Sequence, residues 1–508
     1  MNIQDASTES ASVVRTDSGL VSGSGGPIRS FLGIPYAEAP IGENRWRPPQ
    51  PVKPWTGVRA MTAFGADPPQ AETSRTRAVA MSEDCLTLNI WTPATKPGEQ
   101  LPVMVWLYGG SYVSGSGSDP RCDGESFARK GVVLVTINYR IGVLGFMAHP
   151  GLTAESPQAS SGNYGLLDTL AALTWIQRNI AAFSGDPNRV TLFGVSAGAA
   201  SISLLLTSPL ARGLFQQTIQ QSPGAFRPLS SLVDAEAAGS KLGRDIGELR
   251  KMSAEEILEK TPLFVPKQRG LTTPRVLRPI RDGWIIPRDE REAYARGDIL
   301  ALPSIVGTNA DEGSKLTAAW QVKTAEQLDA LIAESFGAQA GRARALYANA
   351  DVRRSVAEMF ADTQFNSGAR GVMRGLRARG APVYRYLFQR QRPGGNAPNH
   401  GDEVPYVFAS LAVAARLDPQ PFDNDDLALA DVMQDAWVRF ATTGDPNGGG
   451  LPAWPMSDGR EQYLEFDSAM RVGTGWRQSQ LDFVDGYFDA HATCDPERVA
   501  GPRAAGSR

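Results

Sequence analysis

Three cysteines, Cys85, Cys122 and Cys494, in a chain of 508 residues are too few, and odd in number, for a disulfide framework. Such sparse usage fits a reducing compartment. Histidine is equally scarce. His149, His400 and His491 are the only three, none lies four residues from another, and neither a metal nor a cofactor is expected. No run of about 18 apolar residues occurs, so the sequence offers no membrane-spanning helix. An excess of one charge is lacking too. The 51 Lys and Arg residues against 54 Asp and Glu leave a net charge of −3, with neither the basic footprint of a nucleic-acid binder nor a polybasic membrane anchor. The segment from Met1 to Ser18 has neither the basic start nor the apolar stretch of a secretory leader. A cytoplasmic location is the expectation, unless a leader has been removed.

What is present suits a large globular protein: 42% apolar and 21% charged residues, enough to bury a core without staples. Residues 1–16 and 492–508 read as disordered ends. The chain between, residues 17–488, reads as a single domain without internal repeats. In it, short apolar runs alternate with helical patterns. Pro102–Leu107, Val132–Ile137, Val190–Phe193, Pro303–Val306 and Val383–Phe388 are rich in β-branched and aromatic residues, which predicts strands buried on both faces of a mostly parallel central sheet. Gly165–Phe183 predicts an amphipathic helix with Leu166, Leu170, Leu173 and Ile176 near one face. This alternation indicates the α/β class, with helices on both faces of the sheet. Residues 228–300 and 318–375, richer in helix formers, predict helical insertions over it.

Strand Val190–Phe193 runs directly into Gly194-Val195-Ser196-Ala197-Gly198 and then a helical stretch, Ala199–Leu206. G-x-S-x-G between a strand and a helix is the nucleophile elbow of the α/β-hydrolase fold, although the same letters also make plain Gly/Ser turns. Small neighbours let a serine adopt a strained turn, and the helix N-terminus turns its free amides toward developing negative charge. Ser196 is the candidate nucleophile. Upstream, Pro102–Leu107 leads into Tyr108-Gly109-Gly110-Ser111-Tyr112, where lipases and esterases place oxyanion donors. The N–H groups of Gly110, Ser111 and Ala197 are the candidate donors. Chain order in this fold is nucleophile, acid, histidine, which leaves His400 and His491. His491 adjoins the predicted tail, whereas His400 lies in a loop just after Val383–Phe388, so His400 is the candidate base. The acid should follow Pro303–Val306. Asp311 and Glu312 both qualify on chemistry, and either can instead cap a helix.

Several longer stretches carry a family resemblance: Phe31-Leu32-Gly33-Ile34-Pro35-Tyr36-Ala37, Arg45-Trp46-Arg47-Pro48-Pro49, Glu83 to Ile90, Phe183 to Gly198, His400 to Phe408, and Thr443-Gly444-Asp445-Pro446-Asn447. Over about residues 17–488 the chain resembles the type B carboxylesterases, which include cholinesterases and bacterial para-nitrobenzyl esterases. The resemblance implies a Ser–His–Glu triad of Ser196, His400 and Glu312, because the family's carboxylate is the Glu of a D-E-G motif. It implies a serine carboxylesterase that takes small-molecule esters through an acyl-enzyme without a cofactor. The same chemistry serves amide, carbamate and thioester bonds. Non-catalytic binding proteins of this fold lose the serine that this chain keeps.

Departures from the family also carry expectations. Pro68 stands where the family often places a cysteine partner for Cys85, so Cys85 is expected to be unpaired. Residues 69–84 contain no aromatic, Val195 stands where cholinesterases carry Glu, and Lys315 and Leu316 replace an aromatic pair. A quaternary ammonium needs aromatic faces, so choline esters are disfavoured. Ser111 interrupts the usual triple glycine. Tyr108, Val195, Lys315, Leu316 and Phe408 are the expected pocket residues. Lys315, with Arg75 and Arg77, is expected to favour neutral or anionic esters through its field.

Overall fold

The most apolar runs become the middle of one large sheet. The structure, a computed structural model, describes residues 13–71, 80–265, 270–417 and 421–492. Ten strands form the sheet: β1 (Arg29–Pro35), β2 (Thr87–Thr92), β3 (Leu101–Leu107), β4 (Val133–Ile137), β5 (Gly185–Val195), β6 (Gln217–Gln221), β7 (Ser304–Asn309), β8 (Val383–Phe388), β9 (Gln462–Phe466) and β10 (Arg471–Thr474). They lie in the order β10-β9-β8-β7-β6-β5-β3-β4-β2-β1. Pairing is parallel from β4 through to β9 and antiparallel at β9–β10, β4–β2 and β2–β1.

Side chains on a strand alternate between faces, and here each face meets its own core. Val103, Val105 and Leu107 of β3 enter one, together with Val133, Val135 and Ile137 of β4. Met104, Trp106 and Leu134 enter the other. Both faces being covered explains why these strands read as continuous apolar runs. Helix α1 (Tyr164–Asn179) lays Leu166, Leu170, Leu173 and Ile176 on the first core. It passes into a 3-10 turn over Ile180–Phe183, so the predicted single helix ends in a tighter turn. Helix α2 (Ala197–Thr207) follows β5 at once and starts two residues before the predicted stretch. Helix α3 (Asn424–Thr443) closes the second core with Met433, Trp437 and Phe440.

The insertions are helical as expected. One carries Leu232–Gly239 and Ile246–Lys251. The other carries Ala325–Phe336, Val352–Ala361 and Ser367–Ala378, with its own cluster around Phe336 and Phe360. One expected boundary shifts. Val13–Arg15 pairs with Leu20–Ser22 in a small separate sheet, so a strand lies inside the predicted N-terminal tail. A helix over Gln478–Ala492 reaches the other predicted tail. Residues 1–12 and 493–508, with Cys494, lie outside the described residues. Among those described, no helix is long and apolar enough to cross a membrane. Cys85 is a buried free thiol.

Candidate active site

Ser196 sits at the junction of β5 and α2 with φ 57° and ψ −117°, a region that non-glycine residues occupy only under constraint. Its N–H donates to the Gln221 carbonyl at 2.8 Å, and its carbonyl accepts from Ala200 N–H at 2.8 Å. The flanking glycines answer to β3. A Cβ on Gly194 would stand 2.5 Å from the Leu107 carbonyl oxygen, and one on Gly198 would stand 2.1 Å from the same atom. Close approach of the elbow to its neighbouring strand therefore requires both glycines, beyond any relief they give the turn itself.

The loop after β3 folds back on itself, with Val113 and Ser114 N–H both donating to the Gly110 carbonyl at 3.0 and 3.1 Å. Three successive residues have positive φ: Gly110 at 127°, Ser111 at 58° and Tyr112 at 65°. The glycine is needed, because a Cβ there would lie 2.0 Å from the Ser114 carbonyl oxygen. The amides of Gly110 and Ala197 donate to no acceptor among the described residues. Ala197 is the first residue of α2, where orphan donors are inherent to a helix.

Glu312, fully buried, is hydrogen-bonded through Oε2 to His400 Nδ1. Its Oε1 accepts from Ser222 Oγ and from Asn309 N–H, each at 2.6 Å. Asp311 does something else. Its Oδ1 accepts from the amides of Gly313 at 3.2 Å and Ser314 at 2.9 Å, a capping role. His400 Nε2 is buried with no hydrogen-bond partner among the described residues. The imidazole packs on Phe365, with ring centroids 4.2 Å apart. Phe365 rides on a π-helical turn, Asp362–Asn366, between two α-helices, and such bulges often mark functional sites. A second buried carboxyl, Glu403, accepts from Gln221 Nε2 at 3.0 Å and Asn309 Nδ2 at 2.6 Å. Burial first, and the neighbouring Glu312 second, raise it above the usual carboxyl range.

Ser196, Ala197 and Ser111 line a cavity of about 140 Å³, with Phe365 in its wall. Of the five expected pocket residues, Leu316 lines it. The other four are corrected. Tyr108 is buried, stacked 4.2 Å from Tyr139, with its hydroxyl donating to the Tyr139 carbonyl at 2.8 Å. Val195 packs in the second core. Phe408 belongs to an aromatic cluster with Trp106, Phe127 and Phe193. Lys315 borders a separate cavity beside Arg390 and Arg392. Arg75 and Arg77 lie outside the described residues. Among the described residues, the cations on the Ser196 cavity are instead Arg227, Arg275 and Arg278, which no periodicity or motif in the sequence marks.

The sequence profile of the carboxylesterase family matches residues 10–484. The chain belongs to the carboxylesterase family. It is 44% identical over 481 residues to the fumonisin B1 esterase of Sphingopyxis macrogoltabida, covering 92% of this chain and 89% of that one. It is 35% identical to the para-nitrobenzyl esterase of Bacillus subtilis, covering 86% and 90%. Among solved structures, a thermophilic para-nitrobenzyl esterase superposes with a TM-score of 0.84 at 32% identity, over 93% of this chain and 100% of that one. This carboxylesterase is thus a carboxylic ester hydrolase on an α/β-hydrolase fold, acting on small-molecule esters.

Behind α2 the esterase buries a further carboxyl. Glu290 accepts from Phe226 N–H at 2.6 Å and from Ser203 Oγ, and burial raises it from an ordinary 4.5 to about 7. Because the folded value lies above the ordinary one, its contribution to stability is complete below about pH 4.5 and is lost as pH rises through about 7. Glu290→Gln removes that titration. Between those limits the unfolding free energy of the variant, relative to wild type, should shift by about 3 kcal/mol in its favour. Urea unfolding of both proteins across the range checks this. A constant difference would show that Glu290 titrates as an ordinary carboxyl.

Proposed function

We propose that Ser196 is the nucleophile of this esterase, His400 its general base and then acid, and Glu312 the group that orients the imidazole. The observation that carries the reading is the buried Glu312 carboxylate bonded to His400 Nδ1 while Nε2 is left without a partner among the described residues. A neutral imidazole has one donor nitrogen and one acceptor. With Nδ1–H held by the carboxylate, Nε2 is the acceptor.

Ser196 Oγ then attacks the ester carbonyl carbon as its proton passes to Nε2. The carbonyl oxygen takes the negative charge and is met by the N–H groups of Gly110, Ser111 and Ala197. Collapse expels the alcohol, which leaves with the proton from Nε2. Water repeats the sequence on the acyl-enzyme, releasing the acid and restoring Ser196. Ser222 and Asn309 act as positioning residues, because they hold the far oxygen of Glu312. Glu403, made less ready to ionise by burial and by Glu312, keeps a second negative charge away from that carboxylate.

A fluorophosphonate probe tests the assignment, since it phosphonylates an activated serine with loss of fluoride. The expected result is one adduct, on the peptide that carries Ser196, with loss of hydrolysis across a panel of aryl and alkyl esters in proportion to labelling. An adduct on another serine, or turnover that survives complete labelling, would overturn it.

A further inference from the structure

A base that takes the proton of Ser196 carries a positive charge for part of each turnover, and the side chain of His400 is only 9% exposed. Water can do little to solvate that charge, and a buried ion is costly unless other groups answer it. Glu312 answers at Nδ1. A second group lies on the ring itself. The Phe365 centroid stands 4.2 Å from that of the imidazole, with the two planes 33° apart. That is well inside the distance of about 6 Å at which a cation feels the negative face of an aromatic ring.

An unusual piece of backbone puts Phe365 there. The π-helical turn Asp362–Asn366 adds a residue to the helical run, which rotates the side chains beyond it by about 100° around the axis. Every residue of the turn is buried, and the turn is tied down. Asp362 accepts from Arg477 Nε at 2.8 and 3.0 Å and from the Tyr347 hydroxyl at 2.8 Å. Gln364 Nε2 donates to the Leu271 carbonyl at 2.8 Å. Phe360 meets the Phe365 ring edge-on, with centroids 6.1 Å apart.

We infer that Phe365 is a positioning residue for the hydrolysis, whose π face holds the His400 imidazole and stabilises the imidazolium that forms as Ser196 attacks. The inference rests on the reading of His400 as the base. A neutral imidazole gains only packing from the ring, whereas the cation also gains the attraction of the ring quadrupole. The contact is therefore stronger in the transition state than in the resting enzyme, which is the condition for it to raise kcat. The other charged groups around the imidazole are Glu312 on Nδ1 and Glu403 beside that carboxyl. Asp311 and Asp402, on the flanking loops, accept from backbone amides, Lys315 borders a separate cavity with Asp402, and the π-turn carries Asp362 with its partner Arg477. Arg227, Arg275 and Arg278 line the Ser196 cavity. A substitution at Phe365 removes none of these, so a moved pH profile reports on the ring.

The test compares wild type with Phe365→Leu, which keeps apolar bulk without a π face, and with 3,5-difluorophenylalanine at position 365, which keeps the shape and drains electron density from the face. On an activated ester kcat should fall by about three- to thirtyfold in Phe365→Leu, with the fluorinated protein between it and wild type. The acid limb of kcat/KM should move to lower pH in Phe365→Leu, by about half a unit to one and a half units, because a less stabilised imidazolium gives up its proton more readily. The fluorinated protein should move the same way by less. A ring that only filled space would alter stability and KM and leave that limb in place. The fluorinated protein serves if Phe365→Leu does not fold. His400→Gln separates this inference from the assignment beneath it. With turnover abolished in His400→Gln, an acid limb unmoved in the Phe365 variants, or a fluorinated protein indistinguishable from wild type, would overturn the inference and leave the base in place. Turnover that survives His400→Gln would remove the base, and this inference with it.

Discussion

Ser196→Ala should leave a folded protein whose ester turnover is lower by about six orders of magnitude, the loss typical when the nucleophile of such a triad is removed. The fold has no stake in the hydroxyl. The elbow is held by backbone, through Ser196 N–H on the Gln221 carbonyl and Ala200 N–H on the Ser196 carbonyl. It is also held by the approach of Gly194 and Gly198 to Leu107. No hydrogen bond from Ser196 Oγ to a described residue supports the turn. Alanine carries the same Cβ at φ 57°, so it meets the same backbone strain and adds none. Thermal unfolding should therefore be nearly unchanged, while burst and steady-state kinetics on an activated ester both collapse. Retention of even a few per cent of wild-type kcat by protein purified free of other esterases would mean that the nucleophile lies elsewhere.

Sequence patterns revealed the architecture where burial was apolar and hid it where burial was polar. β3, β4 and β8 are runs that no solvated segment would carry, and each was found nearly to its ends. β6, Gln217–Gln221, is just as buried, yet it carries no apolar run to mark it. Two of its polar side chains find partners inside the protein: Gln221 donates to Glu403 at 3.0 Å and accepts from Trp437 Nε1 at 3.3 Å, and Thr218 bonds Ser304. Partners two hundred residues away are invisible to local pattern. The same distinction runs through the site. Ser196 and the glycine loop announce themselves because backbone geometry constrains residue type there. Asp311 and Glu312 stood level on chemistry and spacing, and the family resemblance chose Glu312, the residue that bonds His400. Pocket residues fared worse. Tyr108 and Val195 adjoin the catalytic loops in sequence, but their side chains pack into the two cores. Phe365 and the three arginines come from distant insertions whose docking only the tertiary structure reveals.

Glu312→Gln should lower kcat by about four orders of magnitude, the loss seen when the acid of a serine triad becomes an amide, whereas Asp311→Asn should cost far less. The difference follows from where hydrogens must point. At Glu312, Oε1 receives two donors, Ser222 Oγ–H and Asn309 N–H. In the glutamine variant the amide oxygen must keep that place, because an NH2 there would face the Asn309 N–H directly. The NH2 is then turned onto His400 Nδ1 and donates to it. This fixes the imidazole in the other tautomer, with the proton on Nε2, the atom that has to receive the proton of Ser196. Geometry and packing survive, and the base is blocked. Asp311 faces no such demand, because its carboxylate only accepts from the amides of Gly313 and Ser314. Asparagine keeps an oxygen for them and caps nearly as well. Matched kinetics on the two variants, with unfolding curves to confirm that both are native, decide the matter. A larger loss for Asp311→Asn than for Glu312→Gln would remove Glu312 from the role of orienting acid.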